Sequence, residues 1–264
     1  MRILLITLDD LNLYNCGYAN MSTETKSINE LSKTSHNFWN AHCNVPFCQP
    51  SRSVLMTGLY PQNNGSFSFT PINRVPNISS ILKRIGYRTV LIGKVSHYKP
   101  FDVYNWDQIY DIKNISEIEK CLQAENIFDN SLLSINLHYP HRPFVNSSER
   151  EVYFPERMIY NSEIKKQLSQ FEQTLIHADK IVSVILNNTV PEDFVVLTSD
   201  HGASFPFFKG NCYGSSTNIP MMIRHKEIAA FQDKESVISH VDFLPTVCDF
   251  LGIKDVKFDG HSYL

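Results

Sequence analysis

Near its start the chain reads Arg2-Ile3-Leu4-Leu5-Ile6-Thr7-Leu8-Asp9-Asp10, a short apolar run that stops at two carboxylates. Because the apolar side chains are consecutive rather than alternating, the run predicts a strand covered on both faces, as in a parallel sheet. Runs of the same kind recur further along the chain, at 89–92, 132–137, 194–198 and 220–223. We therefore expect a buried, mostly parallel sheet whose first strand ends at Asp9.

Helical patterns lie between these runs. The longest covers residues 164–187, where apolar side chains recur three and four residues apart and form one stripe. Two shorter patterns, at 78–85 and 241–251, are each followed by a glycine, which is typical of a helix end. The alternation favours an α/β fold, with a doubly wound sheet sandwiched by helices, and we expect residues 1–264 to form one domain. Residues 99–130 indicate no particular element.

The composition is that of a soluble globular protein, with 42% hydrophobic and 19% charged residues. A net charge of −3 gives no reason to expect a nucleic acid or an anionic membrane as partner. No apolar run approaches the roughly 18–20 residues of a membrane span, and no signal-peptide cleavage site follows the first strand. We expect a cytoplasmic protein, unless a signal was removed.

Acidic residues follow two of the predicted strands. Asp9-Asp10 comes after the first, and Asp200-His201-Gly202 comes after the strand at 194–198. The carboxyl ends of parallel strands share one edge of the sheet, where open α/β sheets bind ligands. Three carboxylates and an imidazole form a mainly oxygen site that suits Ca²⁺, Mg²⁺ or Mn²⁺. Each Asp could instead cap a turn, but the repetition after two strands favours a metal site.

The third polar stretch is Cys48-Gln49-Pro50-Ser51-Arg52. Proline is typical of the first turn of a helix, so we expect Cys48 at a helix N-terminus, where backbone N–H groups favour an anion. A cysteine in that position is expected to have a lowered pKa and to be exposed enough to react. The alternative is a buried structural thiol, which is our interpretation of the other cysteines, since they form no CxxC pair.

The whole segment Cys48–Gly58 resembles the signature of type I sulfatases, which belong to the alkaline-phosphatase-like superfamily. The Gly-Lys segment 93–97, with its nearby His97, has the spacing of iduronate-2-sulfatase-like members. Further segments resemble the family in the same order along the chain: 5–10, 138–144, 200–202, 209–214, 242–246 and 259–262. The resemblance therefore covers nearly the whole chain.

This resemblance implies a sulfuric ester hydrolase in which a maturation enzyme oxidises Cys48 to formylglycine. The implied metal ligands are Asp9, Asp10, residue 48, Asp200 and His201, with Ca²⁺ favoured over Mg²⁺ and Mn²⁺. The implied catalytic residues are Cys48, Arg52, Lys94, His97, His141 and Lys209. Contacts to the substrate are expected from Lys94, His138, His141 and Lys209.

The family also suggests individual roles. Arg52 would hold the hydrated aldehyde, and Lys94 and Lys209 would offset charge on the sulfuryl oxygens. His141, alone or with Lys209, would protonate the leaving oxygen, and His97 would take a proton from the aldehyde hydrate. The expected substrate is a small-molecule or oligosaccharide sulfate ester, with a carbohydrate sulfate ahead of aryl or choline sulfate.

Two alternatives remain open from the sequence. One is a phosphonate monoester or phosphodiester hydrolase of the same superfamily. His201, in place of the asparagine of many arylsulfatases, is compatible with it and also with iduronate-type sulfatases. The other is a non-catalytic protein that retains an anion site. Family members usually continue into a smaller C-terminal subdomain, which we expect this chain to lack. The site is then expected to be open, or covered by a second subunit of a homo-oligomer.

Overall fold

A computed structural model of the chain describes residues 1–20, 23–94, 103–125, 129–147, 152, 158 and 160–264. Its strands form one sheet in the order β4-β3-β5-β1-β6-β7-β2-β8. The strands are β1 (Ile3–Leu8), β2 (His36–His42), β3 (Arg88–Gly93), β4 (Gln108–Tyr110), β5 (Ser131–Asn136), β6 (Phe194–Ser199), β7 (Met221–Arg224) and β8 (Phe231–Ser239). All neighbours pair parallel except β7, which runs antiparallel to both β6 and β2. The expected mostly parallel α/β sheet is confirmed.

The central strand β1 explains the continuous apolar runs. It lies between β5 and β6, and all of its side chains are buried. Successive side chains point to opposite faces, so Ile3 and Leu5 pack in one hydrophobic cluster, whereas Leu4 and Ile6 pack in another. A strand with a core on each face has no solvent side on which polar residues could alternate.

Helices cover both faces of the sheet. They are α1 (Gly17–Asn20), α2 (Lys26–Lys33), α3 (Cys48–Thr57), α4 (Pro61–Asn64), α5 (Ile78–Arg84), α6 (Ile115–Glu125), α7 (Ser162–Asn187), α8 (Gly214–Thr217) and α9 (Phe243–Phe250). Helices α3, α5 and α9 contribute to the cluster around Leu5, and α2, α6 and α7 contribute to the cluster around Ile6. None of the described helices is both long and apolar enough to cross a lipid bilayer.

The predicted helices are present, with shifted ends. Helix α7 begins two residues before the predicted 164, because the Asn161 side chain accepts a hydrogen bond from the backbone N–H of Ile164 at 2.8 Å. The helix predicted at 241–251 is divided into a 3₁₀ turn, His240–Asp242, and α9. Of the undetermined region 99–130, the described part contains β4 and α6.

Sequence patterns missed β2, β4 and β8. Strand β2 mixes polar and apolar side chains, and β4 has only three residues. Strand β8 lies at the edge of the sheet, and most of its side chains are exposed. None of the three therefore has the continuous apolar run that identified the central strands.

Gly93 and Gly86 both have a left-handed backbone conformation, but only Gly93 is closely packed. Gly93, at the end of β3, has a φ of +94°, and a Cβ there would lie 2.1 Å from the backbone oxygen of Asn136. Gly86 has a φ of +83°, but a Cβ there would meet no described atom within 4 Å. Both substitutions to alanine would strain the backbone, whereas only the one at Gly93 would also force two strands apart.

We predict that G86A lowers the free energy of unfolding by about 1–2 kcal/mol, the strain of a left-handed L-residue. The G93A variant should lose roughly 1–3 kcal/mol more, because it adds overpacking between β3 and β5. Urea unfolding of both variants, followed by circular dichroism, measures the difference. Equal losses would show that Asn136 does not approach Gly93 as closely as described.

Candidate active site

The ends of neighbouring strands place the polar residues together. Asp9 follows β1, Asp200 follows β6 and Lys94 follows β3. Backbone hydrogen bonds tie these strand ends: the N–H of Asp200 donates to Leu8 at 3.1 Å, and that of Lys94 donates to Asn136 at 2.7 Å. The expectation that separate strands bring their acidic residues to one edge is therefore met.

Asp9, Asp10 and Asp200 form the acidic centre, and all three are fully buried. The carboxylate of Asp200 accepts from the backbone N–H of Asp10 at 3.1 Å. Asp10 adopts a φ of +68°, which directs two consecutive carboxylates into one site. The Asp10 carboxylate also lies 3.3 Å from Nδ1 of His201. Buried carboxylates this close need compensating positive charge.

Three basic side chains supply that charge. Lys94 donates to Asp9, and Lys209 donates to Asp10 at 2.8 Å. Arg52 bridges Asp200 and Asp9, since its Nε lies 3.0 Å from Asp200 and an Nη nitrogen lies 3.4 Å from Asp9. The acids and bases of this centre therefore balance in formal charge.

The same contacts shift the pKa values of Asp200 and Lys209. Burial alone would raise the pKa of Asp200, but His201, Arg52 and Lys94 outweigh it and lower that pKa. Burial would lower the pKa of Lys209, but Asp10, the Cys48 thiol and Asp200 raise it. Asp200 is therefore ionised and Lys209 protonated near neutral pH.

Cys48 begins α3 and faces this centre, as the sequence predicted. Its Sγ lies 3.1 Å from Nε2 of His201, 3.6 Å from Nζ of Lys209 and 3.9 Å from Asp9. Nδ1 of His201 lies 2.9 Å from the carbonyl oxygen of Gly202, a contact that orients the ring with Nε2 toward Cys48.

Two expectations about the Cys48 thiol are wrong: that its pKa is lowered and that it is exposed. Its side chain is buried, with the residue 4% exposed. Burial and the carboxylates of Asp200 and Asp9 raise the pKa of Cys48 to about 12, although Lys94 and Lys209 lower it in part. The helix N-terminus and the lysines do not outweigh the acids on which the same site depends.

The histidines expected in the site differ in position. Nε2 of His141 lies 3.9 Å from Asp10, while its Nδ1 lies 2.6 Å from the carbonyl oxygen of Arg142. His138 is half-buried, and its Nε2 has no hydrogen-bond partner among the described residues. Burial, with Lys113 and Lys94, lowers the pKa of His138 to about 4. His97 lies outside the described residues.

Sequence reasoning missed several groups that hold the acids in place. Ser204 donates to the Asp10 carboxylate, and Tyr139 accepts from the backbone N–H of Asp9 at 3.1 Å. Ser51 donates to the backbone carbonyl of Asp200 at 2.5 Å. Ser51 lies in the recognised motif, and Ser204 follows His201 closely. The sequence around a serine does not indicate that its hydroxyl will bind a buried carboxylate or carbonyl group.

The donor atoms fit a divalent cation. Asp9, Cys48, Asp200 and His201 can each offer one ligand atom, all within 4.8 Å of one another, and Asp9, Asp10 and His141 form a second such group. Carboxylate oxygens with one imidazole match the preference of a hard cation such as Ca²⁺, Mg²⁺ or Mn²⁺. The expected ligand residues are thus adjacent.

The sequence is similar to known sulfatases. An ulvan-active sulfatase of Formosa agariphila is 27% identical over an alignment that covers 100% of this chain and 57% of that protein. The N-sulphoglucosamine sulphohydrolase of Homo sapiens is 26% identical, with 95% of this chain and 60% of that protein covered. The chain therefore spans less than two thirds of the length of these relatives.

The fold is shared with solved structures. A phosphonate monoester hydrolase of Agrobacterium radiobacter superposes with a TM-score of 0.80, covering 99% of this chain and 76% of that one, at 16% identity. Such low identity is informative about the fold only. The sulfatase family model, by contrast, matches residues 2–253, nearly the whole sequence. The chain belongs to the sulfatase family.

Proposed function

We propose that this chain carries the catalytic centre of a sulfuric ester hydrolase that cleaves a carbohydrate sulfate. The observation that supports this most directly is the position of residue 48. It lies at a helix N-terminus, 3.1 Å from His201, 3.6 Å from Lys209 and 3.9 Å from Asp9. A reactive group there would be close to both cation ligands and anion-binding lysines.

The metal ligands in this proposal are Asp9, Asp10, Asp200 and His201, together with residue 48. A divalent ion, with Ca²⁺ favoured by family likeness, would supply Lewis-acid chemistry to a sulfate oxygen. Arg52 holds the carboxylates of Asp9 and Asp200 in position. The ligands are thus oriented by the protein's own hydrogen bonds.

Lys94 and Lys209 are the proposed contacts to the sulfate group. Each donates to a different carboxylate, Asp9 or Asp10, on the two residues that follow β1. Positive groups fixed beside the reacting atoms stabilise negative charge that develops on the sulfuryl oxygens. His138, which has an unpartnered Nε2, is proposed as a further substrate contact.

His141 is the proposed proton donor to the leaving oxygen. It is partly exposed, so a bound ester could reach it. Its Nδ1 faces the carbonyl oxygen of Arg142 at 2.6 Å, which directs Nε2 into the site. A general acid needs this fixed orientation and access to the leaving group. The removal of a proton from the hydrated residue 48 is assigned to His97, by family likeness alone.

Oxidation of Cys48 to formylglycine by a maturation enzyme is part of the proposal. The hydrated aldehyde would provide an oxygen nucleophile at a position where the structure has a buried thiol. This assignment is supported by the match of Cys48–Gly58 to the family signature. Peptide mass spectrometry of residue 48, after expression in a host that installs the aldehyde, tests it directly.

A carbohydrate sulfate is favoured because two relatives, the ulvan-active sulfatase and the N-sulphoglucosamine sulphohydrolase, are named after carbohydrate substrates. A phosphonate monoester or phosphodiester is the second candidate, since the fold is shared with a phosphonate monoester hydrolase. Sulfuryl and phosphoryl groups present similar tetrahedral oxygens to the same lysines.

Parallel rates on sulfated sugars, aryl sulfate, phosphonate monoesters and phosphate diesters separate the candidates. Highest efficiency on a phosphorus ester would contradict the proposal.

A non-catalytic anion-binding protein is disfavoured by the site itself. Loss of catalysis is expected to remove reactive residues, but Cys48, Arg52, Lys94, His141 and Lys209 are all retained. A metal-loaded protein that binds sulfate esters but hydrolyses none of a broad panel would support this alternative instead.

We predict that C48A reduces sulfate release by at least about a thousandfold, as expected when a nucleophile is removed. The fold should persist, because the substitution removes one sulfur atom and no backbone contact. Sulfate release and thermal unfolding are measured on the same preparation. Full turnover by a protein whose Cys48 is an unmodified thiol would contradict the formylglycine mechanism, and loss of folding in C48A would indicate a structural thiol.

We predict that K209A lowers kcat for sulfate esters by about 10²–10³-fold, the usual effect of removing one group that stabilises developing charge. The matched control is K226A, which removes a half-exposed lysine paired with Glu192. Its kcat should equal that of the wild type. Steady-state kinetics on one sulfated sugar measure kcat for both variants. Equal kcat values for K209A and K226A would exclude the proposed role of Lys209.

A further inference from the structure

A buried histidine lies close to the acidic centre and contacts two hydroxyl groups beside it. His240 is fully buried in the 3₁₀ turn His240–Asp242, between β8 and α9. Its Nδ1 lies 3.1 Å from the hydroxyl of Ser51, and its Nε2 lies 3.4 Å from the hydroxyl of Thr198. Among the described residues it contacts neither Cys48 nor a carboxylate within hydrogen-bond distance, and its polar contacts are these two hydroxyls and the backbone of Ser199.

The direction of the hydrogen bonds follows from counting donors. The single hydroxyl proton of Ser51 is donated to the carbonyl oxygen of Asp200 at 2.5 Å. Ser51 Oγ can therefore only accept from His240, which places a proton on Nδ1. Burial lowers the pKa of His240 to about 3, although Asp200 and a hydrogen bond to the backbone of Ser199 raise it in part, so the ring is neutral near pH 7.

Other hydroxyls of the same helix behave differently. Ser53 donates to the carbonyl oxygen of Gln49 at 2.9 Å, and Thr57 donates to that of Ser53 at 2.7 Å. This bond to the carbonyl four residues earlier is the usual choice of a serine or threonine inside a helix. Ser51 instead turns outward to Asp200. Ser51 also has a partner from outside the helix, Nδ1 of His240.

Asp200 is held in place by contacts to its backbone and to its carboxylate. Its backbone N–H is held by Leu8 at 3.1 Å, and its backbone carbonyl is held by Ser51. Arg52, the next residue of α3, holds the carboxylate of the same aspartate at 3.0 Å. The helix that begins at Cys48 is thus attached to Asp200 at two points, through Ser51 and Arg52, and His240 contacts Ser51.

We propose that His240 is a positioning residue of the metal centre, which acts by directing the Ser51 hydroxyl to the backbone of Asp200. The inference rests on the proposed function only in requiring that the acidic centre binds a divalent ion. Without the Nδ1 proton donor, Ser51 is free to bond the carbonyl of Phe47, four residues earlier. Asp200 would then lose one of the contacts that fix its carboxylate for the ion.

The test compares three variants of His240 by isothermal titration of Ca²⁺ and Mn²⁺ into protein freed of metal with a chelator. H240A should lower the metal affinity roughly 10–100-fold, the usual cost of losing a group that orients a ligand. H240N keeps an amide N–H close to the Nδ1 position and should retain most of the affinity. H240Q places its amide near Nε2, lacks the donor to Ser51 and should resemble H240A.

H225A provides a matched control. His225 is also a buried histidine, but it packs against Phe194 and Phe250 at the opposite end of β6. The H225A variant should lower thermal stability without changing metal affinity. Because His240 lies outside the segment Cys48–Gly58, modification of residue 48 should be equal in all variants, and mass spectrometry checks this.

The outcomes are distinguishable. Wild-type metal affinity in folded H240A would overturn the inference, and so would equal losses in H240N and H240Q. A wild-type chain that bound no divalent ion would overturn both this inference and the proposed function. Metal binding that depends on His240 in a protein without activity on sulfate esters would support the inference and contradict the proposed function alone.

Discussion

Three fully buried carboxylates, those of Asp9, Asp10 and Asp200, are the constraint on which the rest of this site depends. Ionised carboxylates removed from water are costly unless paired charges and hydrogen bonds compensate them. Lys94, Lys209 and Arg52 provide the charges. The backbone N–H of Asp10 and the hydroxyl of Ser204 provide further donors. The same acids and lysines act on Cys48, where Asp200 and Asp9 raise the pKa of the thiol and Lys94 and Lys209 lower it in part.

The parallel sheet makes this concentration of charge possible. Strands β1, β3 and β6 end at the same edge, so each delivers an aspartate or lysine without a long loop. Helix α3 completes the site, because Cys48 lies at its first turn and Arg52 one turn later. Position along the chain is therefore a poor guide to proximity here, whereas position at a strand end is a good one.

The central sheet and most of the site followed from the sequence, for physical reasons. Strands buried on both faces need continuous apolar residues, so β1 and β6 were predictable, as was the acidic pair after β1. Resemblance to the family, recognised first at Cys48–Gly58, then identified Lys94 and Lys209 through the segments 93–97 and 209–214. Without that resemblance, either residue could be an ordinary surface lysine. Edge strand β8 was not predictable, because exposed residues obey no apolar pattern.

The wrong expectation about the Cys48 thiol has the same origin as the missed role of His240. Local sequence placed Cys48 at a helix N-terminus but could not show how closely Asp9 and Asp200 surround it. His240 lies 40 residues beyond Asp200 in the chain, and only the folded structure places it beneath Ser51. Effects that depend on burial and on long-range pairing cannot be inferred from spacing alone.

The central claim is that distant segments form one site for a divalent ion beside residue 48. A crystal structure of the protein grown with Mn²⁺, with an anomalous difference map recorded near the manganese absorption edge, tests it most directly. The account predicts one strong peak in contact with oxygens of Asp9, Asp10 and Asp200 and with a nitrogen of His201. Fully occupied manganese elsewhere, with these carboxylates bound only by Lys94, Lys209 and Arg52, would contradict it.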